Sequence, residues 1–303
     1  MSHDSPSAVF TARDILSAKR ALEAFHSETG TYVSGNGVLP VDGSPARDEQ
    51  ATFPEAESIR TVHSQATMLI EVAGDQLTAF LKTLGEPCET VAPWVCVRGL
   101  LEACALATWL LTPGIGARQR VGRSLALRYE GLDQQRKCVA AMGHSPLEVE
   151  KRMEEITHDA AVLGYDPRFD SKGRQIGIAT RMPTITELIG EHLDEEGMYR
   201  LLSAMAHGHF WAIHQLGFRL LAEDETPEAA AEVGTRALEK AVNTPGVIYL
   251  ALGAADAFGL AVWYHARYCG WELAPLEESL SRLYDAMNVR AHRRFWLGGQ
   301  PDA

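Results

Sequence analysis

Apolar residues recur at three- and four-residue steps through most of the chain, and no run alternates long enough to suggest a sheet. Ile15, Leu16, Leu22 and Phe25 fall at helical spacing and predict a first helix over residues 11–29. From 30 to 54 the chain is rich in Gly, Ser, Pro and Asp and poor in large apolar residues, so it reads as a long loop or linker. That would leave the first helix as a satellite of the main body.

Helical periodicity resumes over 56–84 and again over 92–111, where Thr112-Pro113-Gly114 stops it. A third long helix is predicted over 117–142. Gly143-His144 breaks it, and Ser145 and Pro146 supply an N-cap and a first-turn proline for another helix reaching 163. Residues 164–183 read as a polar loop. Thr184 with Glu187 forms a capping-box pattern that opens the next helix. Further helices are predicted over 195–221, 227–242, 245–269 and 275–288, with loose ends over 1–10 and from about 296. No fixed repeat is present. The expected class is all-α, an antiparallel helical bundle. The expected division is an N-terminal helix and linker (1–54), a helical core (55–221), C-terminal helices packed on it (222–295) and a tail (296–303).

The stretch from 247 to 264, VIYLALGAADAFGLAVWY, approaches the length of a membrane span. Asp256 lies at its centre, which is costly in lipid. No comparable second segment is evident, so the stretch reads as a buried central helix in which Gly253, Ala257 and Gly259 permit close packing. No membrane association is expected.

Composition adds exclusions. Hydrophobic residues make up 46% and charged residues 22%, ordinary for a globular chain. The five cysteines are odd in number and form no CxxC pair, so they read as free thiols in a reducing compartment rather than as disulfides or a zinc site. The opening MSHDSPSAVF lacks the basic start and apolar run of a signal peptide, and the expected location is the cytoplasm. A formal net charge of −12 argues against a surface that grips DNA or RNA as a whole. No Walker loop, GxGxxG turn, GxSxG elbow or zinc-finger pattern is present, and no cofactor is expected.

Polar residues inside apolar stripes carry the candidate chemistry, because an unpaired buried polar group is expensive. Val95, Arg98, Glu102, Ala105 and Trp109 share one stripe, and Arg98 and Glu102 can pair one turn apart. The pair could fix helix register or line an anion site. In YRLLSAMAHGHFWAIH, Arg200 and His207 stand seven residues apart. Seven steps of about 100° fall about 20° short of two turns, so both lie on one face, with Ser203 between them. His214 stays on that face if the helix survives Gly208. Such an arginine could stabilise a phosphorane-like charge while the histidine moves a proton. The plainer alternative is a histidine closing the helix before Gly208, with Arg200 paired to Glu196. Asp256 calls for a basic partner, with Arg123, Arg128 and Arg200 as candidates.

The segment YRLLSAMAHG, with the helix bearing Arg98-x-x-x-Glu102, resembles uncharacterised bacterial helical proteins, frequent in actinobacteria, that are thought to be HEPN-like. The resemblance spans roughly residues 55–221. It implies a helical bundle, a homodimer, and an Arg-x(4–6)-His motif matched at its long end by Arg200 and His207. It would assign Arg200 and His207 to metal-independent RNA cleavage of a toxin or phage-defence kind, supported by Arg98, Glu102, Tyr199, Ser203 and His214. The acidic charge and extra C-terminal helices favour instead a non-catalytic module that binds a partner or a small anionic ligand. A third alternative is a structural or regulatory dimer joined around Phe210, Trp211 and Phe218.

Two metal constellations are set aside. Glu23-x-x-His26 and Glu155-x-x-His158, with Glu71 and Glu102, match di-iron spacing but lie off the apolar stripes. His207, His209 and His214 lack an inward carboxylate and, at two-residue spacing, do not face one another. No metal is expected.

Overall fold

A computed structural model describes residues 11–33, 39–222, 225, 227 and 238–287. Among these it contains eleven helices and two small antiparallel hairpins. The helices are α1 (Ala12–Val33), α2 (Pro45–Thr52), α3 (Ala56–Thr83), α4 (Ala92–Leu111), α5 (Ala117–Ala141), α6 (Leu147–Val162), α7 (Ile185–Leu193), α8 (Glu196–Ala206), α9 (Phe210–Gly217), α10 (Thr244–Cys269) and α11 (Ala274–Ala286). The all-α class and the helical bundle hold.

Two helices form the centre. α4 and α10 are long and strongly apolar, and most of their residues are buried, which places both in the interior. They pack on each other, and α3, α7 and α8 close around α4. Both are long and apolar enough to cross a membrane by length and composition, and both are mostly buried within the structure. The expectation that 247–264 has no comparable companion is therefore corrected: α4 is one. Close approach is built into α10. A Cβ at Gly253 would collide with the Met198 side chain of α8, and one at Gly259 would stand 2.8 Å from Leu280 of α11.

α1 is not a satellite. Ile15, Ala18, Leu22 and Phe25 belong to the main core, and the helix lies against α10, α11 and α3. Phe25 meets Phe258 edge-on at 6.2 Å. A second apolar cluster joins the start of α3 (Ile59, Val62) to α5, α6 and the first hairpin.

The expected linker at 30–54 contains a helix. Ser44 caps α2 by accepting from the Arg47 N–H at 3.4 Å, and Pro45 occupies the first turn. Glu49 of α2 reaches Arg120 of α5, whose side chain is 3% exposed, at 3.1 Å. The same guanidinium donates to the carbonyls of Leu110 at 2.7 Å and Ile115 at 3.1 Å. It lies 4.6 Å over the ring of Tyr268 on α10, and the Tyr268 hydroxyl donates to Glu49 at 2.9 Å.

Other boundaries shift for local reasons. Residues 164–183 include the hairpin β1 (Pro167–Phe169) and β2 (Gln175–Ile178), with Pro167 opposite Ile178 and an irregularity at Arg168/Phe169. The strands are too short to show a periodicity. α6 starts one residue later than Ser145 predicts, with Pro146 at the cap and no side-chain bond there. The capping box of Thr184 and Glu187 is present in full. The helix expected over 195–221 divides in three: α8 ends with Gly208 at φ +71, α9 follows, and Phe218–Leu220 forms β3, paired with β4 (Leu238–Lys240). The helix expected over 227–242 thus ends in a strand; most of it, together with residues 1–10 and the tail, lies outside the described residues.

Removing one partner of the buried Arg120 pair leaves a charge with no counterion. Glu49→Ala should lower unfolding free energy by about 3–5 kcal/mol, read as a fall in the urea midpoint at unchanged slope. A midpoint within error of the wild type would show that α2 is not held by this pair.

Candidate functional site

α4 and α8 bring three of the expected residues together. Arg98 Nε lies 3.0 Å from Glu102 Oε1, within ion-pair range but not aligned as a directional hydrogen bond. The Tyr199 hydroxyl donates to the same Glu102 oxygen at 2.9 Å, and the Arg98 guanidinium lies 5.8 Å from the Tyr199 ring centre. Tyr199 is buried, while Arg98 and Glu102 are half-buried. The trio ties α8 to α4 and keeps the arginine beside its counterion. Ser203 sits half-buried one turn beyond Tyr199.

Arg200, His207 and His214 are placed differently. All three are exposed. Arg200 pairs with Glu196 one turn earlier, at 2.7 Å. His207 closes α8, its N–H bonding to the Ser203 carbonyl at 2.9 Å. His214 belongs to α9, beyond the break at Gly208, so one continuous helical face through all three does not exist. His207 and His209 have ring centres 6.4 Å apart, and Phe210 and His214 5.6 Å apart.

The chain matches no protein-family model, no curated protein and no solved structure.

Asp256, in the middle of α10, accepts a hydrogen bond from the Tyr284 hydroxyl of α11. Of the arginines expected to meet it, Arg123 donates to the Trp109 carbonyl and to Thr112 Oγ1, Arg200 pairs with Glu196, and Arg128 is exposed. Its charge also acts on a nearby acid, Glu195. Burial, then the charge of Asp256, then that of Asp194, pushes the Glu195 carboxyl up to about 7. Glu195 is thus a partly buried acid able to hold or release a proton near neutrality.

The two di-iron pairs separate. Glu155 and His158 are exposed on α6. His158 instead borders an open groove of about 600 Å³ with Glu154, Glu150, Asp133 and Arg136. There Asp133 is already paired with Arg136 and Lys137. His26 turns to the Gly74 carbonyl at 3.1 Å and Thr78 at 3.0 Å, while Glu23 pairs with Lys19.

One cluster lay outside the sequence reading. His63 of α3 meets His265 and Cys269 of α10, and one ligand atom from each lies within 4.8 Å of the others. His265 and Cys269 are four residues apart on an apolar helix, a spacing that puts both on one face. That was the available signal. The His63 contribution depends on how α3 crosses α10, which no local pattern encodes.

The Glu195 environment has a pH signature. Between 4.5, its ordinary value, and about 7, the folded chain holds a proton that the unfolded chain has released, so this group's stabilising contribution falls as pH rises. His26, His63, His192 and His265 act oppositely, since burial lowers each, so their contribution to stability rises as pH climbs toward 6.5 and levels off above it. Comparing Glu195→Gln with wild type cancels the histidines. The melting temperature of the variant relative to wild type should climb from pH 4.5 to 7 and level off above; parallel curves would place Glu195 in a solvated setting.

Proposed function

We propose that this chain is a non-catalytic, HEPN-like binding or regulatory module of the cytoplasm that works as a homodimer through the corner between α8 and α9. The observation behind this reading is the exposure of two adjacent aromatics at the start of α9, Phe210 at 76% and Trp211 at 50%. Aromatic side chains placed in water side by side are uncommon on a lone surface and enriched in contact surfaces. His207, His209 and His214 surround them and add polar contacts at the rim. Partly exposed Phe218 begins β3 at the other end of α9. Arg200 and Arg98 are each held by a glutamate, which weakens either as a free phosphate anchor. A small anionic ligand could still meet Arg98, which keeps 27% of its side chain exposed.

The second reading is the metal-independent endoribonuclease with Arg200 and His207. It is favoured by one fact: both side chains are exposed, Arg200 on the body of α8 and His207 at its C-terminal cap, where a substrate can reach them.

One set of samples separates the two. Sedimentation across a concentration series should give a dimer for wild type and a monomer for Trp211→Ala, while an RNA pool with EDTA stays intact. A wild type that is monomeric at every concentration would remove the dimer. RNA cleavage present in wild type and lost in both Arg200→Ala and His207→Ala would establish the nuclease instead.

A further inference from the structure

The cluster of His63, His265 and Cys269 is chemically odd for a core. His265 is 1% exposed and Cys269 0% exposed, on the C-terminal turns of α10. The two imidazoles face each other with ring centres 5.2 Å apart and planes 33° apart. His63 Nε2 and His265 Nδ1 are both buried and neither makes a well-aligned hydrogen bond, although the Tyr32 backbone lies close to the His265 ring. A buried nitrogen without a hydrogen bond loses the solvation it had in water and gains nothing in return. Two buried imidazoles with under-bonded nitrogens, in a cluster with a buried thiol, call for an explanation.

We propose that His63, His265 and Cys269 bind a zinc-class transition-metal ion, with a fourth coordination position left to water or another ligand. Two imidazoles and a thiolate are the donors that zinc and neighbouring borderline metals prefer. In a tetrahedral site with bonds of about 2.0–2.3 Å, ligand atoms stand roughly 3.3–3.8 Å apart. The present spread, within 4.8 Å, is closed by small rotations of three side chains.

The surroundings suit the assignment. The Thr67 hydroxyl donates to the His63 carbonyl at 3.0 Å, and its oxygen lies 3.4 Å from His265 Nε2. With its proton committed, the hydroxyl accepts from Nε2–H, which leaves the Nδ1 lone pair for the ion. Ligating histidines are commonly oriented by such a bond through the other ring nitrogen. Trp271 stands edge-on against His265 at 4.9 Å and walls the site. Half-buried His63 is the side from which an ion enters. Burial keeps both imidazoles in the neutral form a metal needs, pushing His265, with help from His63, down to about 3. Burial also holds the Cys269 thiol protonated without metal, pushed up to about 12. Binding forms two nitrogen–metal bonds and one sulfur–metal bond, releases all but one of the waters of the aquo ion, and sends the thiol proton to solvent. This inference is independent of the dimer and of the nuclease reading.

The test uses full-length protein stripped with a chelator, then given zinc or cobalt(II). Wild type should retain about one equivalent of zinc after gel filtration, melt several degrees higher, and show a thiolate-to-cobalt charge-transfer band. Cys269→Ser should lose that band, and His63→Gln, at the half-buried edge where folding is least at risk, should weaken uptake at least tenfold. Thr67→Val should weaken it by about 10- to 100-fold, as loss of an orienting bond does. Zinc uptake should survive substitution of His207, His209 and His214 together. Retention or melting shifts that are the same in wild type, Cys269→Ser and His63→Gln, or that vanish with the three surface histidines, would overturn the proposal.

Discussion

A single buried cation organises the molecule. Arg120 is almost fully enclosed, and an enclosed guanidinium is tolerable only when its donors are met. It meets Glu49 of α2, two carbonyls from the end of α4 and the loop after it, and the face of Tyr268 on α10. Four separate stretches of chain are thereby fixed at one point. The hydrogen bond from the Val41 N–H to the Cys269 carbonyl, at 2.8 Å, lies one residue from Tyr268. The end of α10, which holds His265 and Cys269, is accordingly among the most constrained parts of the fold. That rigidity suits a site whose ligands must be held in place.

The central pair α4 and α10 brings its own constraint. Helices this apolar gain stability simply by packing, and small residues let them do so closely. Polar groups on them must then be satisfied within the protein. Thr108 bonds back to the carbonyls of Cys104 and Ala105, and Asp256 accepts from Tyr284. Trp94 donates to the Thr90 carbonyl. The paired imidazoles of His63 and His265 depart from this pattern, each keeping one buried nitrogen without a well-aligned hydrogen bond; Arg98 Nε shares that condition but has the charge of Glu102 beside it.

Much of the helical framework was legible because periodicity and punctuation agreed. α4, α5 and α10 begin and end within a residue of where Pro, Gly and the apolar stripe place them, and the Thr184–Glu187 box is a local signal with a local cause. What was missed depends on distant contacts. α2 is a polar eight-residue helix, stabilised by its Ser44 cap and by Glu49 reaching across to Arg120, so its own sequence looks like linker. α1 looked detachable because the residues that cover it, on α10 and α11, come more than two hundred positions later. The stop at Gly208 was visible as a glycine, but its left-handed turn decided that Arg200 and His214 could not share a helix. Of the candidate site, the Arg98–Glu102 pair was legible from one turn of spacing, and Tyr199 completing it was not derivable from spacing alone.

Burial assigns different chemistry to the same residue type in two places. At the α8–α9 corner, HGHFWAIH holds three histidines in solvent, free to meet a partner's surface but without the enclosure that makes proton transfer or ligation selective. At the end of α10, HARYC buries one histidine and one cysteine against a third donor from α3, where desolvation disfavours imidazolium and thiolate alike unless an ion takes the proton's place. The arginines reinforce the division. Arg98, Arg120, Arg200 and Arg219 each sit against a glutamate in a chain with 40 acidic and 28 basic residues. Guanidiniums already matched to carboxylates add little attraction for a polyanion. On the two proposals made above, selective contact would rest on the aromatic corner and the enclosed donor cluster rather than on surface charge.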